Sequence, residues 1–278
     1  MQKIFRRFAY PYHIWILATI LIPILLIVYY SLIEKASGNF SLANFQNAFT
    51  PQYLQIFGRS ILVALSTTIL CLCIGFPTAL FLSRVKKHNQ QLMLFLFILP
   101  TWTNIVLRTY AWLIMFYRDG LVENFFKIFG LQVQLQYSTF AVYLGMVYNF
   151  LPFMILPLYT AISKIDTSLL EASEDLGASR LQKLCKITIP LSAPGILSGI
   201  IMVFLPAATT FVIPQILSAG KYNLIGNVIE RQFTTANNMN FGSSLSILLV
   251  IVIILSIFGL DIFENQKSQR KKRGEAHE

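Results

Sequence analysis

Acidic residues are scarce in this chain. Asp and Glu together number 12 among 278 residues, and none stands in the middle of a long apolar run. Intramembrane hydrolases and proton-coupled carriers depend on carboxylates at such positions, so neither class is supported. Charged residues of both signs make up 12% of the chain, whereas 55% is hydrophobic. This composition excludes an ordinary soluble domain and indicates an integral membrane protein.

Motifs for catalysis and nucleotide binding are also absent. Gly220-Lys221 lacks both the earlier glycine and the following hydroxyl of a phosphate-binding loop. Neither a His-Glu-x-x-His nor a Gly-x-Ser-x-Gly sequence occurs, so we expect no enzyme activity. Cys71, Cys73 and Cys185 have neither disulfide nor metal-site spacing and are interpreted as packing residues. We expect no metal and no cofactor bound by this chain itself.

Apolar runs of about 20 residues, the length that crosses the hydrocarbon core of a bilayer, recur along the sequence. They predict an all-α integral membrane protein with six transmembrane helices and with both termini on one side. The candidate spans are 14–33, 60–82, 92–117, 139–162, 194–217 and 243–262.

Basic residues give the orientation. Of the 22 Lys and Arg residues, 15 fall in the N-terminal segment, the loops 83–91 and 163–193, and the C-terminal tail. Six fall on the other side, and Arg108 lies within a span. The positive-inside rule therefore predicts that both termini are cytoplasmic. The net charge of +10 is explained by topology and lipid headgroups, and we expect no nucleic-acid partner.

The third apolar run carries Pro100, Asn104 and Arg108, so we expect its helix to be bent or broken. Asn104 and Arg108 are four residues apart and share one helix face. A charge at this depth favours the bundle interior or a water-filled cavity, with snorkelling of Arg108 to the outer surface as the alternative. Nearby aromatic residues either line the same passage or anchor the helix at the interface.

Prolines also interrupt the fourth and fifth runs, and we expect both helices to be broken, as around a transport pathway. Kinked packing is the alternative. The candidate pathway residues are Trp102, Asn104, Arg108, Tyr110, Trp112, Tyr148, Asn149, Thr209 and Thr210.

The polar stretch 168–190 interrupts the apolar pattern on the cytoplasmic side. Ser168 with Glu171 and Ser179 with Gln182 have the spacing of capping boxes, and each predicts the start of a short helix. Gly177 is placed to end the first helix in a left-handed conformation, and Pro190 to close the second. Leu181, Leu184 and Cys185 give the second helix an apolar side for packing on the membrane body. An ordinary ordered loop is the alternative to a docking element.

The same stretch resembles the EAA loop of binding-protein-dependent ABC importer permeases. That pattern reads Glu-Ala-Ala, three residues, Gly, nine residues, Ile, one residue, Leu-Pro. Here Ser173 replaces the second Ala and Ile189 replaces Leu. The resemblance implies a MetI-like fold and a loop that docks into a groove of a cytoplasmic ATPase. The residues to which we assign that coupling role are Glu171, Ala172, Gly177, Ala178, Arg180, Leu181, Lys183, Ile187 and Pro190.

Segments from about residue 55 onward further resemble the spermidine and putrescine permeases of this superfamily. They are 100–104 with Arg108, 151–154, 156–159 and 224–229. The resemblance implies a second homologous permease subunit, two copies of an ABC ATPase that holds ATP and Mg, and an extracytoplasmic substrate-binding protein. Import of another small solute, such as an amino acid or an opine, and an ATPase-independent secondary transporter remain the alternatives.

The predicted organisation has three parts. Residues 1–55 hold the N-terminal segment, the first span and an outer segment; 56–262 form the permease core with the cytoplasmic loop 163–193; 263–278 form a charged tail. The outer loop 218–240 contains apolar residues at helical spacing, which predicts a re-entrant or surface helix.

Overall fold

The structure is a computed structural model that describes the backbone of residues 2–35, 38–118, 120–130 and 134–275. Side chains are described within these ranges from residue 15 to residue 259. The described residues are helical, and their one strand-like pairing is an isolated bridge. The predicted all-α architecture is confirmed.

The helices follow one another with short connections. A 3₁₀ turn at Leu99–Trp102 joins α4 to α5, and a π turn at Leu184–Thr188 joins α9 to α10. In the described ranges the α-helices are α1 (Gln2–Ser31), α2 (Ala43–Ala48), α3 (Pro51–Arg84), α4 (Lys87–Ile98), α5 (Ile105–Met115), α6 (Leu121–Ile128), α7 (Thr139–Ile162), α8 (Thr167–Asp175), α9 (Arg180–Lys183), α10 (Ile189–Leu191), α11 (Ala193–Thr209), α12 (Val212–Leu217), α13 (Ile225–Thr234) and α14 (Met239–Glu275).

Three helices of the described residues, α3, α7 and α14, are long and apolar enough to cross a membrane. Two further helical pairs pass the same test with a bend, at 92° between α4 and α5 and at 67° where α10 meets α11. Five crossings result if each pair is one span. The apolar part of α1, Trp15–Ser31, is shorter than a usual span, so the sixth crossing stays a prediction that is consistent with this architecture.

The core forms where α3, α7 and α11 pack together. Met154 of α7 is fully buried there, between Gly75 of α3 and Gly199 of α11. A Cβ at Gly75 would lie 2.9 Å from Cγ of Met154, and one at Gly199 would lie 2.6 Å from its Sδ. The two glycines therefore allow the three helices to approach closely, as small residues do in membrane bundles.

Helix α1 lies at the periphery and packs mainly on α14. Its outer end is held by two buried amides, since Nδ2 of Asn44 and Nδ2 of Asn240 donate to the carbonyl of Ile33 at 2.9 and 2.8 Å. Asn240 also donates to the carbonyl of Tyr30 at 3.1 Å. These side-chain bonds join the C-terminal end of α1 to α2 and to α14.

Two predicted features of the spans are wrong. Helix α3 begins at Pro51 rather than at residue 60, where the second span was predicted to begin. Helix α7 runs unbroken through Pro152 and Pro157. Its contacts with α3 and α11 stabilise the helix. Prolines in membrane helices are tolerated under such packing.

The C-terminal part also differs from the prediction. Helix α14 continues to Glu275, through most of the segment expected to be a tail, and 276–278 lie outside the described residues. Of the three cysteines, only Cys71 is buried, whereas Cys73 and Cys185 are exposed. The packing role is therefore confirmed for Cys71 alone.

Candidate functional site

The loop at residues 163–193, predicted to be cytoplasmic, contains the predicted helix, glycine turn and helix. Gly177 has φ +77° and follows α8 closely, as its left-handed role requires. The start of α8 differs from the prediction, because Asp166 caps it by accepting from the backbone N–H of Ser168 at 3.0 Å. The capping box expected for Ser168 and Glu171 is therefore wrong. Hydrogen bonds from Ser168 hold the pKa of the Asp166 carboxyl below its ordinary value.

The second capping box is confirmed. Oγ of Ser179 accepts from the N–H of Gln182 at 3.3 Å, and Oε1 of Gln182 accepts from the N–H of Ser179 at 2.8 Å. Pro190 does not close the helix, since the helical segment continues to Leu191. Proline has no N–H for the carbonyl four residues earlier, and the chain passes this point through the π turn at Leu184–Thr188.

An ion pair joins the two short helices. Nζ of Lys183 on α9 pairs with Oε1 of Glu174 on α8, and the Lys183 side chain is largely buried against the loop. Pieces this short are marginal in water without packing. The ion pair and the shared glycine turn therefore hold α8 and α9 as one unit.

The apolar side of this unit points away from the bundle. Leu176, beside the glycine turn, is 88% exposed, and Leu181 is 69% exposed. The prediction that Leu181 and Cys185 pack on the membrane body is wrong, because Ser173, Leu184 and Thr188 form the inner side instead. Sequence reasoning missed Leu176, although a leucine directly before a turning glycine is a recognisable signal.

The remaining predicted coupling residues differ in exposure. A cavity of about 730 Å³ lies between the loop and the C-terminal ends of α3 and α7, with Arg84, Glu171 and Arg180 in its lining. Exposed members of the predicted set are Glu171, Ala172, Arg180 and Pro190, and half-buried members are Ala178, Lys183 and Ile187.

The second candidate region lies at the break between α4 and α5. The expected bend is confirmed, at 92°. Asn104 is the N-cap of α5, where its Oδ1 accepts from the N–H of Val106 at 2.7 Å. The Asn104 side chain therefore caps the start of α5, directly after the break.

Arg108, Trp112 and Tyr148, which we name the Arg108 cluster, lie together. The rings of Trp112 and Tyr148 are 5.3 Å apart in an edge-to-face contact, and Arg108 interacts electrostatically with Tyr148. Nε and Nη1 of Arg108 are buried and have no hydrogen-bond acceptor among the described residues. Next to Tyr148, Asn149 donates to the carbonyl of Gly145 at 2.8 Å, but its buried Oδ1 has no donor there.

Other predicted pathway residues lie apart from this cluster. Trp102 is exposed and packs on Phe95, with 5.6 Å between the rings. Tyr110 is exposed on the surface of α5. Thr209 and Thr210 are at the end of α11, under the first turn of α13.

The first turn of α13 is buried in the bundle, and the choice between a re-entrant and a surface helix for the outer loop stays a prediction. A Cβ at Gly226 would lie 2.6 Å from the carbonyl oxygen of Thr209. Nδ2 of Asn227 donates to the carbonyl of Phe211 at 2.8 Å, and the N–H of Ile225 donates to Ser60 at 2.8 Å. Sequence reasoning missed this contact with the break after α11.

The chain matches known proteins over almost its whole length. The family model described as binding-protein-dependent transport system inner membrane component matches residues 2–273. The spermidine/putrescine transport system permease protein PotB of Haemophilus influenzae is 37% identical over 252 residues, 88% of each chain. PotB of Escherichia coli K12 is 37% identical over 87% of this chain and 91% of its own. The inner membrane ABC transporter permease protein YdcU of Escherichia coli is 30% identical over 77% of this chain and 73% of its own.

Solved structures agree in fold. A bacterial ABC transporter involved in the import of the acidic polysaccharide alginate superposes with a TM-score of 0.73 over 96% of this chain and 95% of the other, at 20% identity. That likeness shows the fold alone. The chain therefore belongs to the family of binding-protein-dependent transport system inner membrane components, and it is a multi-pass permease subunit of an ABC importer.

Proposed function

We propose that this chain is one of two permease subunits of an ATP-driven importer of polyamines such as spermidine and putrescine. The observation that carries the substrate class is the 37% identity to two PotB proteins over nearly nine tenths of each chain. The rings of Trp112 and Tyr148 suit this class, because ammonium groups bind favourably to aromatic faces.

The partners follow from this proposal. They are a second permease like PotC, two copies of an ATPase like PotA and an extracytoplasmic binding protein like PotD. ATP and Mg are held by the ATPase, and this chain binds no cofactor. The distribution of basic residues supports cytoplasmic termini and a cytoplasmic loop 163–193.

The loop transmits the movement of the ATPase. Leu176 and Leu181 enter an apolar part of the ATPase groove, and Arg180 lies beside them for charged groups of that partner. When ATP closes the paired ATPases, α8 and α9 move as the unit fixed by the Glu174–Lys183 pair. The bent pairs α4–α5 and α10–α11 then change the opening of the pathway by alternating access.

One observation favours a second candidate. Arg108 places a positive charge beside the pathway, and such a charge repels a cationic solute and attracts a carboxylate. An amino acid or opine importer would use this arginine directly. The two candidates predict opposite outcomes in a competition assay.

The test uses the whole complex in proteoliposomes, with labelled spermidine, the binding protein and ATP on the ATPase side. We expect uptake that requires ATP and Mg, is competed by unlabelled putrescine and is unaffected by glutamate or arginine. Amino acid uptake without spermidine uptake would reject the substrate class. Uptake by this chain without the ATPase would instead identify a secondary transporter.

A crosslink tests the docking role separately. Leu176→Cys should form a crosslink to the ATPase with a short bifunctional thiol reagent, in a Cys185→Ser background that removes the exposed native thiol of the loop. Phe40→Cys is the matched control, because Phe40 is 76% exposed on the opposite side of the bundle. Equal crosslinking from both positions would contradict docking at the glycine turn.

A further inference from the structure

Arg108 has an incomplete set of partners within this chain. It lies on α5 one turn after the break, with Nε and Nη1 removed from solvent and without an acceptor among the described residues. Arg108 as a whole is half-buried, but removing these two N–H-bearing atoms of a cation from water is costly unless they are hydrogen-bonded. Something outside this chain must therefore provide an acceptor.

In the described part of the chain, no carboxylate forms a salt bridge with Arg108. Of the 12 acidic residues, 11 lie outside the predicted spans, and the remaining one, Asp261, is next to the last residue of the span 243–262. Tyr148 interacts electrostatically with the arginine and its ring packs on Trp112, but neither aromatic ring carries a charge that would neutralise a cation. The missing negative charge comes from another molecule.

Lipid phosphate is too far away to be that molecule. Tyr148, which interacts with Arg108, is nine residues along α7 from its outer end at Thr139. At 1.5 Å per residue this is a depth of roughly 13 Å. Headgroup phosphates lie outside the hydrocarbon region, so they do not reach a guanidinium near Tyr148.

The surface around Arg108 is suited to a protein neighbour. Leu107 is 70% exposed, and Tyr110 and Ile114 are exposed on the same helix. Helix α5 has 11 residues and leaves α4 at 92°, so it is too short to cross the bilayer alone. An apolar surface next to a buried unpaired charge is typical of a protein interface. The partner protein then supplies the complementary charge.

We propose that a carboxylate of the second permease subunit pairs with Arg108 in the resting transporter, and that an ammonium group of the substrate displaces this guanidinium during transport. This inference rests on the proposed function, which supplies both the second subunit and the cationic substrate. In the resting state Arg108 therefore supplies the cation beside that carboxylate. It acts as a positioning residue that keeps the carboxylate in place.

This arrangement resolves the conflict between a positive residue and a positive solute. The partner's carboxylate is never left unpaired in a dehydrated site, because either Arg108 or the substrate occupies it. One cation replaces another, so the charge of the site changes little during passage. A monovalent metal ion, which lacks the fork of N–H donors of a guanidinium, competes poorly for the same carboxylate.

The pairing is tested by charge exchange in the assembled complex. Arg108→Glu places two acids together and should prevent co-purification of the two permeases or abolish spermidine uptake. Each Asp and Glu in the membrane segments of the second permease is then changed to Arg in turn. We expect one of these changes to restore assembly and spermidine uptake of the complex that carries Arg108→Glu. Restoration by none of them, or normal assembly and uptake by Arg108→Glu alone, would overturn the pairing.

The displacement is tested by binding of labelled spermidine to the detergent-solubilised complex of permeases and ATPases. Arg108→Met removes the competing cation and should tighten binding by roughly fivefold or more, the lower end of typical site-to-site coupling. Arg108→Lys keeps a cation and should bind as the unsubstituted complex does. Arg118→Met is the matched control, since Arg118 is an exposed cation at the outer end of the same segment.

Unchanged or weaker spermidine binding by Arg108→Met would overturn the displacement. A merely structural arginine would affect the amount of complex recovered without tightening binding. A wrong substrate class would be detected separately, because the unsubstituted complex would then transport no spermidine. The rescue of assembly by charge exchange would still be measurable in that case.

Discussion

The backbone N–H of Ile225 donates to the hydroxyl of Ser60, with 2.8 Å between the nitrogen and the oxygen. One residue later, Gly226 faces the carbonyl oxygens of Thr209 and Thr210 without room for a methyl group. The first turn of α13 is thereby fixed between α3 and the end of α11. The break after α11 is a rigid feature, since its backbone has partners on both sides.

Gly226→Ala should destabilise the outer half of the bundle. A Cβ would lie 2.6 Å from the carbonyl oxygen of Thr209, and forcing extra atoms into a filled space costs about 1 to 3 kcal/mol. The melting temperature of the purified protein in detergent measures the effect. Gly58→Ala is the control, because nothing lies within 4 Å of its Cβ and alanine favours a helix. Equal melting temperatures for the two variants would contradict the close contact.

Gly177→Val should uncouple ATP hydrolysis from transport. Nothing lies within 4 Å of a Cβ at Gly177, so the effect comes from the backbone, whose left-handed conformation costs an ordinary residue about 1 to 2 kcal/mol. We expect normal membrane insertion, continued ATPase activity and a lower ratio of spermidine imported to ATP hydrolysed. Gly177→Asn should be milder, since asparagine tolerates this conformation. An unchanged ratio for the valine variant would argue against a rigid turn.

Lys183→Glu should impair transport, and a second change, Glu174→Lys, should restore part of it. The single change places two carboxylates together across the glycine turn, whereas the double change rebuilds the ion pair. Glu174 is exposed although Lys183 is not, and surface ion pairs contribute about 1 kcal/mol or less, so insertion and the melting temperature should change little. Spermidine uptake is the measurement. No recovery in the double variant would mean that Lys183 contacts the ATPase directly.

Arg180→Glu distinguishes docking on the ATPase from the ion pair within the loop. The exposed Arg180 side chain takes no part in the Glu174–Lys183 pair. Its charge reversal should reduce uptake and weaken co-purification of the ATPase. The second change Glu174→Lys should give no recovery here. Recovery would indicate that a general change of charge on the loop, rather than docking, controls uptake.

Leu176→Ser should weaken binding of the ATPase without affecting the fold. Leu176 is almost fully exposed, so its loss removes no packing within this chain, but an apolar anchor at an interface commonly contributes more than 1 kcal/mol. The amount of ATPase that co-purifies with the permease measures this. Phe40→Ser on the outer side is the control. Equal recovery of ATPase with both variants would show that Leu176 lies outside the interface.

Local features were predictable from the sequence, and distant contacts were not. The capping box of Ser179 and Gln182 needs partners three residues apart, so its spacing is visible in the chain. The bond between Ile225 and Ser60 joins residues 165 positions apart. No local pattern encodes that pairing, and the inserted position of α13 therefore followed only from the structure.

Proline and arginine show the same limit. Pro100 lies at a true break, whereas Pro152 and Pro157 lie in an unbroken helix, because α7 is packed against α3 and α11. The position of Arg108 within an apolar run was evident from the sequence. The burial of its Nε and Nη1 atoms without an acceptor depends on α5 turning away from α4.

Met154 stands between two glycine-bearing helices, at a point where three helices approach closely. Its side chain is unbranched and can change rotamers while it continues to fill the same space. Helices α3 and α11 can accordingly slide along α7 by small amounts without opening a void between them. The contact of α3, α7 and α11 at Met154 therefore allows relative movement of the helices. A closely packed interior and a moving pathway are thus compatible in one chain.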